Sequence, residues 1–434
     1  MKILYQSLLL TLALVGTASA QVPNTNDTST RAGDNTGMGT GALGGPRPSN
    51  LTGTENTAAG FEALYSDTIG NYNTAFGVQA LYMNTMGIQN TATGYQALYA
   101  GAGGSQNTAI GNQALYTNYG GENTAAGIRA LYLNTTGGDN SAFGAQALYS
   151  NTEGNFNTGS GAYVLYYNTL GSYNTASGYQ ALHSNTSGNY NTASGTQALH
   201  NTTTGSYNTA SGYDALYYNT TGKNNTATGR GALQSNKNGS NNIAEGYHAG
   251  LNLTSGSNNI DIGNQGVAAE SGIIRIGTAG TQTATYVAGV TGVVATGTLA
   301  PVYVNASGQL SVGPPSAERF KTAIALMGES TARLGELRPV TFQYKSDPHG
   351  ARQYGLIAEE VAKVYPELVI RDAKGQILTV HYDELAPMLL NEVQKQQIKN
   401  AGQEARIRDL EQQVAKMHAA LLKLQSKDER VAQR

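Results

Sequence analysis

The sequence predicts a mainly β protein: an N-terminal β-solenoid (β-roll) of 17-residue repeats, a β connector, and a small α+β domain ending in a coiled-coil helix. Three observations carry this expectation. The motif Asn-Thr-Ala-x-Gly-x-x-Ala-Leu-Tyr-x-Asn-Thr-x-Gly-x-x recurs with its first asparagine at Asn56, Asn73, Asn90, Asn107, Asn123, Asn140, Asn157, Asn174, Asn191, Asn208, Asn225, Asn242 and Asn259. Beyond residue 266 the period is lost and β-branched runs replace it. Charge then rises abruptly, with 20 of the 54 charged residues in the first 315 positions and 34 in the 119 from Ser316 onward.

Composition narrows the function classes. Charged residues are 12% of the 434, with 55 glycines, no tryptophan and no cysteine. So few charges leave Asn, Thr, Ser, Gln and Tyr to cover the solvent face. A net charge of −2 offers no footprint for nucleic acid or an anionic membrane. The lack of cysteine excludes disulfides, thiolate metal sites and a cysteine nucleophile, and no metal or cofactor is expected.

At the N-terminus, Lys2, an apolar run over 8–15 and the small residues Thr17-Ala18-Ser19-Ala20 read as a Sec-type signal peptide over 1–20, cleaved before Gln21. The product is expected to be secreted or on the cell surface. The apolar run is too short to span a bilayer, and no transmembrane anchor is expected elsewhere. Residues 21–34 read as a flexible leader.

Within the repeats, spacing is 17 residues except for one step of 16 from Asn107. The fifth position is Gly in all thirteen copies, the third is Ala in eleven and the ninth is Leu in eleven. An invariant Gly implies a positive φ or a neighbour too close for a Cβ, and the Ala and Leu positions are the candidate core. A degenerate first copy at Asn35-Thr36-Gly37-Met38-Gly39, with four extra residues, reads as a capping rung. Seventeen residues with two turns at Gly leave no room for a helical hairpin, so short strands stack rung on rung. Fourteen rungs at roughly 4.8 Å give a column on the order of 65 Å, with Asn and Thr side chains in ladders. The small interior of one chain favours association of several. The repeats over 35–266 resemble the head of YadA-type trimeric autotransporter adhesins, which implies a homotrimer and a cell-surface or glycan target bound through the rod. The chain departs from that family in its 17-residue rung and in lacking a C-terminal membrane β-barrel.

The connector over 267–315 contains Ile273-Ile274-Arg275-Ile276, Thr283-Ala284-Thr285-Tyr286-Val287 and Pro301-Val302-Tyr303-Val304. The last run, followed by Asn305-Ala306-Ser307-Gly308 and Gln309-Leu310-Ser311-Val312, reads as a hairpin with a four-residue turn. Gly313-Pro314-Pro315 resists both helix and strand.

Across the junction, Ser316 fits two roles. It is a good N-cap for a helical pattern over 318–327, with Glu318 favourable in the first turn. Alternatively, Ser316 and Lys321 are a nucleophile and a base. The motifs Leu337-Arg338-Pro339-Val340-Thr341-Phe342-Gln343-Tyr344, Tyr354-Gly355-Leu356-Ile357-Ala358-Glu359-Glu360-Val361, Tyr365-Pro366-Glu367-Leu368-Val369 and the run from Val380 to Leu390 favour the second role. In this order they resemble the C-terminal intramolecular chaperone of phage endosialidases and tail spikes, an autoprocessing peptidase domain that begins with a Ser-x4-Lys dyad. The resemblance covers residues 316–394. It implies that this domain assists trimer assembly of the fibre ahead of it and then cuts itself off between Pro315 and Ser316, with Ser316 as nucleophile and Lys321 as general base. Lysine acts as a base only where burial or a neighbouring cation, here Arg319, favours the neutral amine. Ala317 departs from the Asp, Asn or Ser usual after the nucleophile. His349 and His381 are read as structural.

The chain is expected to be helical from Ala386. Ile407, Leu410, Val414, Met417, Leu421 and Leu424 keep a 3-4 spacing, a coiled-coil seam over 395–434 with Arg406, Arg408 and Lys423 on its flanks. The partner so implied is a second and third copy of the chain. The competing function is a structural or adhesive fibre whose terminal domain trimerises and never cuts.

Overall fold

The computed structural model describes residues 34–44, 52–287, 301–305, 307–311, 316–372 and 374–432. The expected signal peptide over 1–20, the expected leader up to residue 33, and Pro315 lie outside the described residues. The chain divides into two units, 1–290 and 291–434.

In the first unit, fifteen three-residue strands from β1 (Thr36–Met38) to β15 (Ile274–Ile276) form one parallel sheet in strict sequence order. Register follows the repeat: Thr57 faces Thr74 and Ala58 faces Ala75, and the pattern recurs along the sheet. The expected β-solenoid of about 14 turns is therefore present, and its sheet runs on to Ile276. Residues 282–287 carry no strand, although their composition is β-rich.

Each strand points its middle residue inward because adjacent side chains alternate across the backbone. That residue is the third-position alanine, and Ala58, Ala75 and Ala92 are fully buried against Ala and Leu of positions eight and nine. The fifth-position glycine is needed on two counts. At Gly178 φ is +131°, and a Cβ would lie 2.5 Å from the carbonyl oxygen of Gly195 on the next rung. The backbones touch there, which only glycine allows.

Another feature has no signature in the repeat pattern. The ninth-position leucines sit in the left-handed region, with φ near 50° at Leu64, Leu98 and Leu131. This conformation costs on the order of 1–2 kcal/mol per residue, and complete burial of the side chain offsets it. Each rung also donates backbone hydrogen bonds in both directions. Thr57 N reaches forward to Asn73 O at 2.8 Å, and Gly77 N reaches back to Ala59 O at 2.8 Å.

Asparagine was expected on the solvent face as well as in ladders. In the structure positions one and twelve are inside, with Asn73, Asn151 and Asn168 fully buried. Burial is tolerated because the amides satisfy one another. Asn174 N donates to Asn157 Oδ1 at 3.0 Å, while Asn174 Nδ2 donates to Gly188 O at 2.9 Å. In the second ladder Asn151 Nδ2 donates to Asn134 Oδ1 at 2.7 Å and to Gly154 O at 2.9 Å. Outside, the tenth-position rings stack from Tyr65 through Tyr166 to His183, His200 and Tyr217, with Tyr65 and Tyr82 centroids 5.1 Å apart.

The second unit is built of short elements. The hairpin β16 (Tyr303–Val304) and β17 (Leu310–Ser311) forms where expected. Two further antiparallel pairs follow, β18 (Val340–Phe342) with β19 (Gln353–Gly355), and β20 (Val369–Arg371) with β21 (Ile377–Val380). Helix α1 (Ala358–Val364) packs on the latter pair, enclosing Val361, Tyr365, Leu368, Val369 and Val380. Helix α2 (Tyr382–Ala432) begins four residues before Ala386 and carries Pro387 as its sixth residue, where the ring removes the N–H that would otherwise bond to Asp383 O.

Candidate functional site at the 316–321 junction

The junction departs from the expected helix. In place of a helix over 318–327 there is a single 3-10 turn, Glu318–Phe320, closed by Lys321 N donating to Glu318 O at 2.9 Å. Ala317, not Ser316, holds the N-cap position, and no side chain caps the turn. The N-cap role for Ser316 is therefore corrected. The physical reason lies in burial: Phe320, Ile324 and Leu326 are 57%, 64% and 99% exposed, so no apolar face stabilises a helix that short.

Ser316 and Lys321 both lie in exposed backbone on either side of this turn. Among the described residues neither the hydroxyl nor the ammonium has a hydrogen-bond partner. The neighbouring cation, Arg319, stands 4.7 Å over the Phe320 ring. His349 is exposed, and His381 faces Asp383 at 3.8 Å. Neither histidine contacts Ser316 or Lys321 among the described residues.

Downstream, a polar clamp fastens the chain. Thr331, 1% exposed, donates its hydroxyl to Glu392 and accepts from Asn391 of α2, and Asn391 Nδ2 also reaches Gly328 O at 3.0 Å. Lys395 Nζ joins Glu329 at 3.1 Å and Glu392 at 3.0 Å. The hydrogen bonds from Thr331 and Lys395 hold the Glu392 carboxyl below the usual range. This clamp ties the segment after the junction to the long helix. Sequence reasoning missed it because its members lie about 60 residues apart. A second tie joins Leu356 N to the Tyr382 hydroxyl at 2.8 Å. It explains Gly355, where a Cβ would meet that hydroxyl at 2.7 Å.

The residues expected to form a seam, Ile407, Leu410, Val414, Met417, Leu421 and Leu424, all lie on α2 and are 44–61% exposed. Phe320, Leu326, Tyr354 and Leu378 are exposed in the same unit. No helix among the described residues is long and apolar enough to cross a membrane.

No curated protein matches the chain. A family model does: the segment over 316–370, which opens on Ser316 and follows a β-solenoid of about 14 turns, matches the chaperone of endosialidase.

Proposed function

We propose that the chain is an exported homotrimeric fibre protein whose domain over 316–394 acts as an intramolecular chaperone for trimer assembly and then cuts itself off between Pro315 and Ser316. The observation that carries this reading is the position of the family match, which starts at Ser316 itself. In the cutting step, Ser316 Oγ attacks the Pro315 carbonyl carbon while the Lys321 amine takes the hydroxyl proton. The C–N bond breaks, that proton passes to the departing Ser316 nitrogen, and the Pro315 acyl group rests on Oγ as an ester. Water, deprotonated by Lys321, hydrolyses the ester to a Pro315 carboxylate and restores the hydroxyl.

Exposure of both residues in the single chain implies a further requirement. Lys321 becomes a base only when its amine is shielded from water, and packing of the exposed Phe320, Ile324 and Leu326 in an assembled trimer would provide that shielding. The wide exposure of the α2 seam supports the same assembly. The rod would carry the contact with a cell-surface or glycan target.

The same exposure favours a second reading, in which the domain trimerises and never cuts. Mass spectrometry and light scattering of the purified chain separate the two. Self-cleavage gives a fragment starting at Ser316 from a trimeric wild type, and full-length protein from Ser316→Ala, Lys321→Ala and Lys321→Arg, since a guanidinium does not give up its proton. An uncut wild-type trimer establishes the second reading. A folded monomer refutes both.

A further inference from the structure

The third position of every rung is alanine, or glycine at Gly37 and Gly159, until the last repeat, where Asp261 takes it. Strand β14 (Ile260–Ile262) pairs in register with β13 (Ile243–Glu245) and with β15, so Asp261 lies between Ala244 and Arg275. Its side chain occupies the slot that alanine fills elsewhere. It is 1% exposed, and both carboxyl oxygens are buried without a hydrogen-bond partner. Leu253 and the backbone of Gly266 close around it: a Cβ on Gly266 would lie 2.9 Å from Asp261 Oδ2 and 3.2 Å from Leu253 Cγ.

The charged groups that face Asp261 are Glu270 and Arg275. From β13 it meets only Ala244. Arg275 is already engaged, its Nε donating to Glu270 Oε1 at 2.9 Å and its Nη2 to Oε2 at 2.7 Å. Glu270 Oε1 in turn accepts from Val267 N at 2.9 Å, which folds the last loop back on itself. Two carboxyl groups thus compete for one guanidinium, and the more deeply buried one goes without. An ionised carboxylate enclosed with no donor is strongly unfavourable, whereas the neutral acid is tolerated.

We propose that Asp261 is a proton-controlled latch on the last rung of the solenoid. With a proton on Asp261, the Glu270–Arg275 pair closes over the end of the core. Without it, the Asp261 carboxylate draws Arg275 away from Glu270, the fold of the 267–270 loop is released, and the rung opens to water. The contacts at stake are Ile260 N to Ile273 O at 2.9 Å, Gly272 N to Ser257 O at 3.0 Å and Gly277 N to Ile262 O at 2.8 Å.

Burial pushes the Asp261 carboxyl up to about 6, with Glu270 adding to the rise and Arg275 opposing it. A folded-state value above the unfolded one means that the stabilisation is complete below about pH 4 and is lost as pH rises through about 6.

Hydrogen exchange of the full chain between pH 4 and pH 7.5, corrected for the intrinsic chemical rate, tests the latch. Peptides covering 260–277 are expected to show an opening equilibrium that rises ~100-fold across this range, while peptides covering 141–165 do not change. Asp261→Asn and Asp261→Ala should hold protection of 260–277 constant. Ala is the residue that the other rungs carry, so this variant remains a folded control if the amide is not accommodated. Glu270→Gln frees Arg275 for Asp261 and should lower the midpoint by about one pH unit or more. An equal pH response in the wild type and Asp261→Ala overturns the proposal, as does a flat response in the wild type.

Discussion

Asn84 Nδ2 donates to Asp67 Oδ1 at 3.1 Å, which places a carboxylate at the slot of the inner ladder that asparagine fills on the next rung. Asp67 also accepts from Gly70 N at 3.1 Å and Asn56 Nδ2 at 3.3 Å. These donors do not outweigh burial, which pushes the Asp67 carboxyl up to about 7. Because the folded value lies above the unfolded one, the associated stability is complete below about pH 4 and is lost as pH rises through about 7. Asp67→Asn removes the charge and keeps the shape. It is expected to abolish this dependence and to stabilise the first rungs at pH 8 by on the order of 2–4 kcal/mol, measured as thermal midpoints at pH 4 and pH 8.

The same ladder has three orphaned acceptors, Asn84 Oδ1, Asn185 Oδ1 and Asn236 Oδ1. Each precedes a rung that lacks asparagine at the twelfth position, namely Gly101, Thr202 and Leu253. A buried acceptor without a donor costs about 1–3 kcal/mol. Thr202→Asn supplies a donor to Asn185 and an acceptor to Asn219, so it should raise the thermal midpoint. The matching loss, Asn151→Ala, should lower it, since two neighbours lose a partner at once.

Gly178 and Tyr179 are adjacent and opposite in consequence. Gly178→Val places a branched side chain against the Gly195 carbonyl, at a φ of +131°, and should disrupt its own rung and the next one. Tyr179 is 48% exposed, and Tyr179→Ser should change stability by less than about 1 kcal/mol. Equal midpoints in calorimetry would contradict this assignment.

His183 and His200 interrupt the tyrosine stack, with ring centroids 4.9 Å apart. Burial first, and then the neighbouring His200, lower the His183 value to about 4. A depressed histidine is neutral in the fold, so stability falls as pH drops from about 6.5 toward 4, where the unfolded chain takes the proton first. His183→Tyr restores the stack and should flatten that part of the acid profile. The expected gain at pH 4.5 is no more than about 2 kcal/mol, given the partial exposure of the ring, and is read from denaturation curves.

The solenoid was legible because a period is a long-range signal written locally: Gly178 and Gly195 recur for the same steric reason, so one rung explains all of them. Left-handed leucines such as Leu64 were not legible, because nothing in leucine itself favours φ of 50°. The stacking of a neighbouring rung imposes it. Burial of Asn174 was hidden for a related reason, since a polar residue reads as external until its partner one rung away is known. The junction reversed the situation. Ser316 and Lys321 were picked out by family likeness, whereas Thr331, Asn391 and Glu392, which fasten the neighbouring segment, have no shared local pattern. The 318–327 helix failed because local propensity has no force without a surface to bury.

The in-register asparagine column also makes the rungs interchangeable. Asn157 sees the same partners that Asn174 and Asn191 see, so removing or adding a whole repeat changes neither the register nor the ends. Length in this unit is therefore a modular quantity, adjustable in steps of about 4.8 Å without renegotiating the core. The 16-residue step at Asn107 shows the tolerance of the scheme: Asn123 N still finds Asn107 Oδ1 at 3.0 Å, and the missing residue is absorbed in the turn between Asn118 and Gly120.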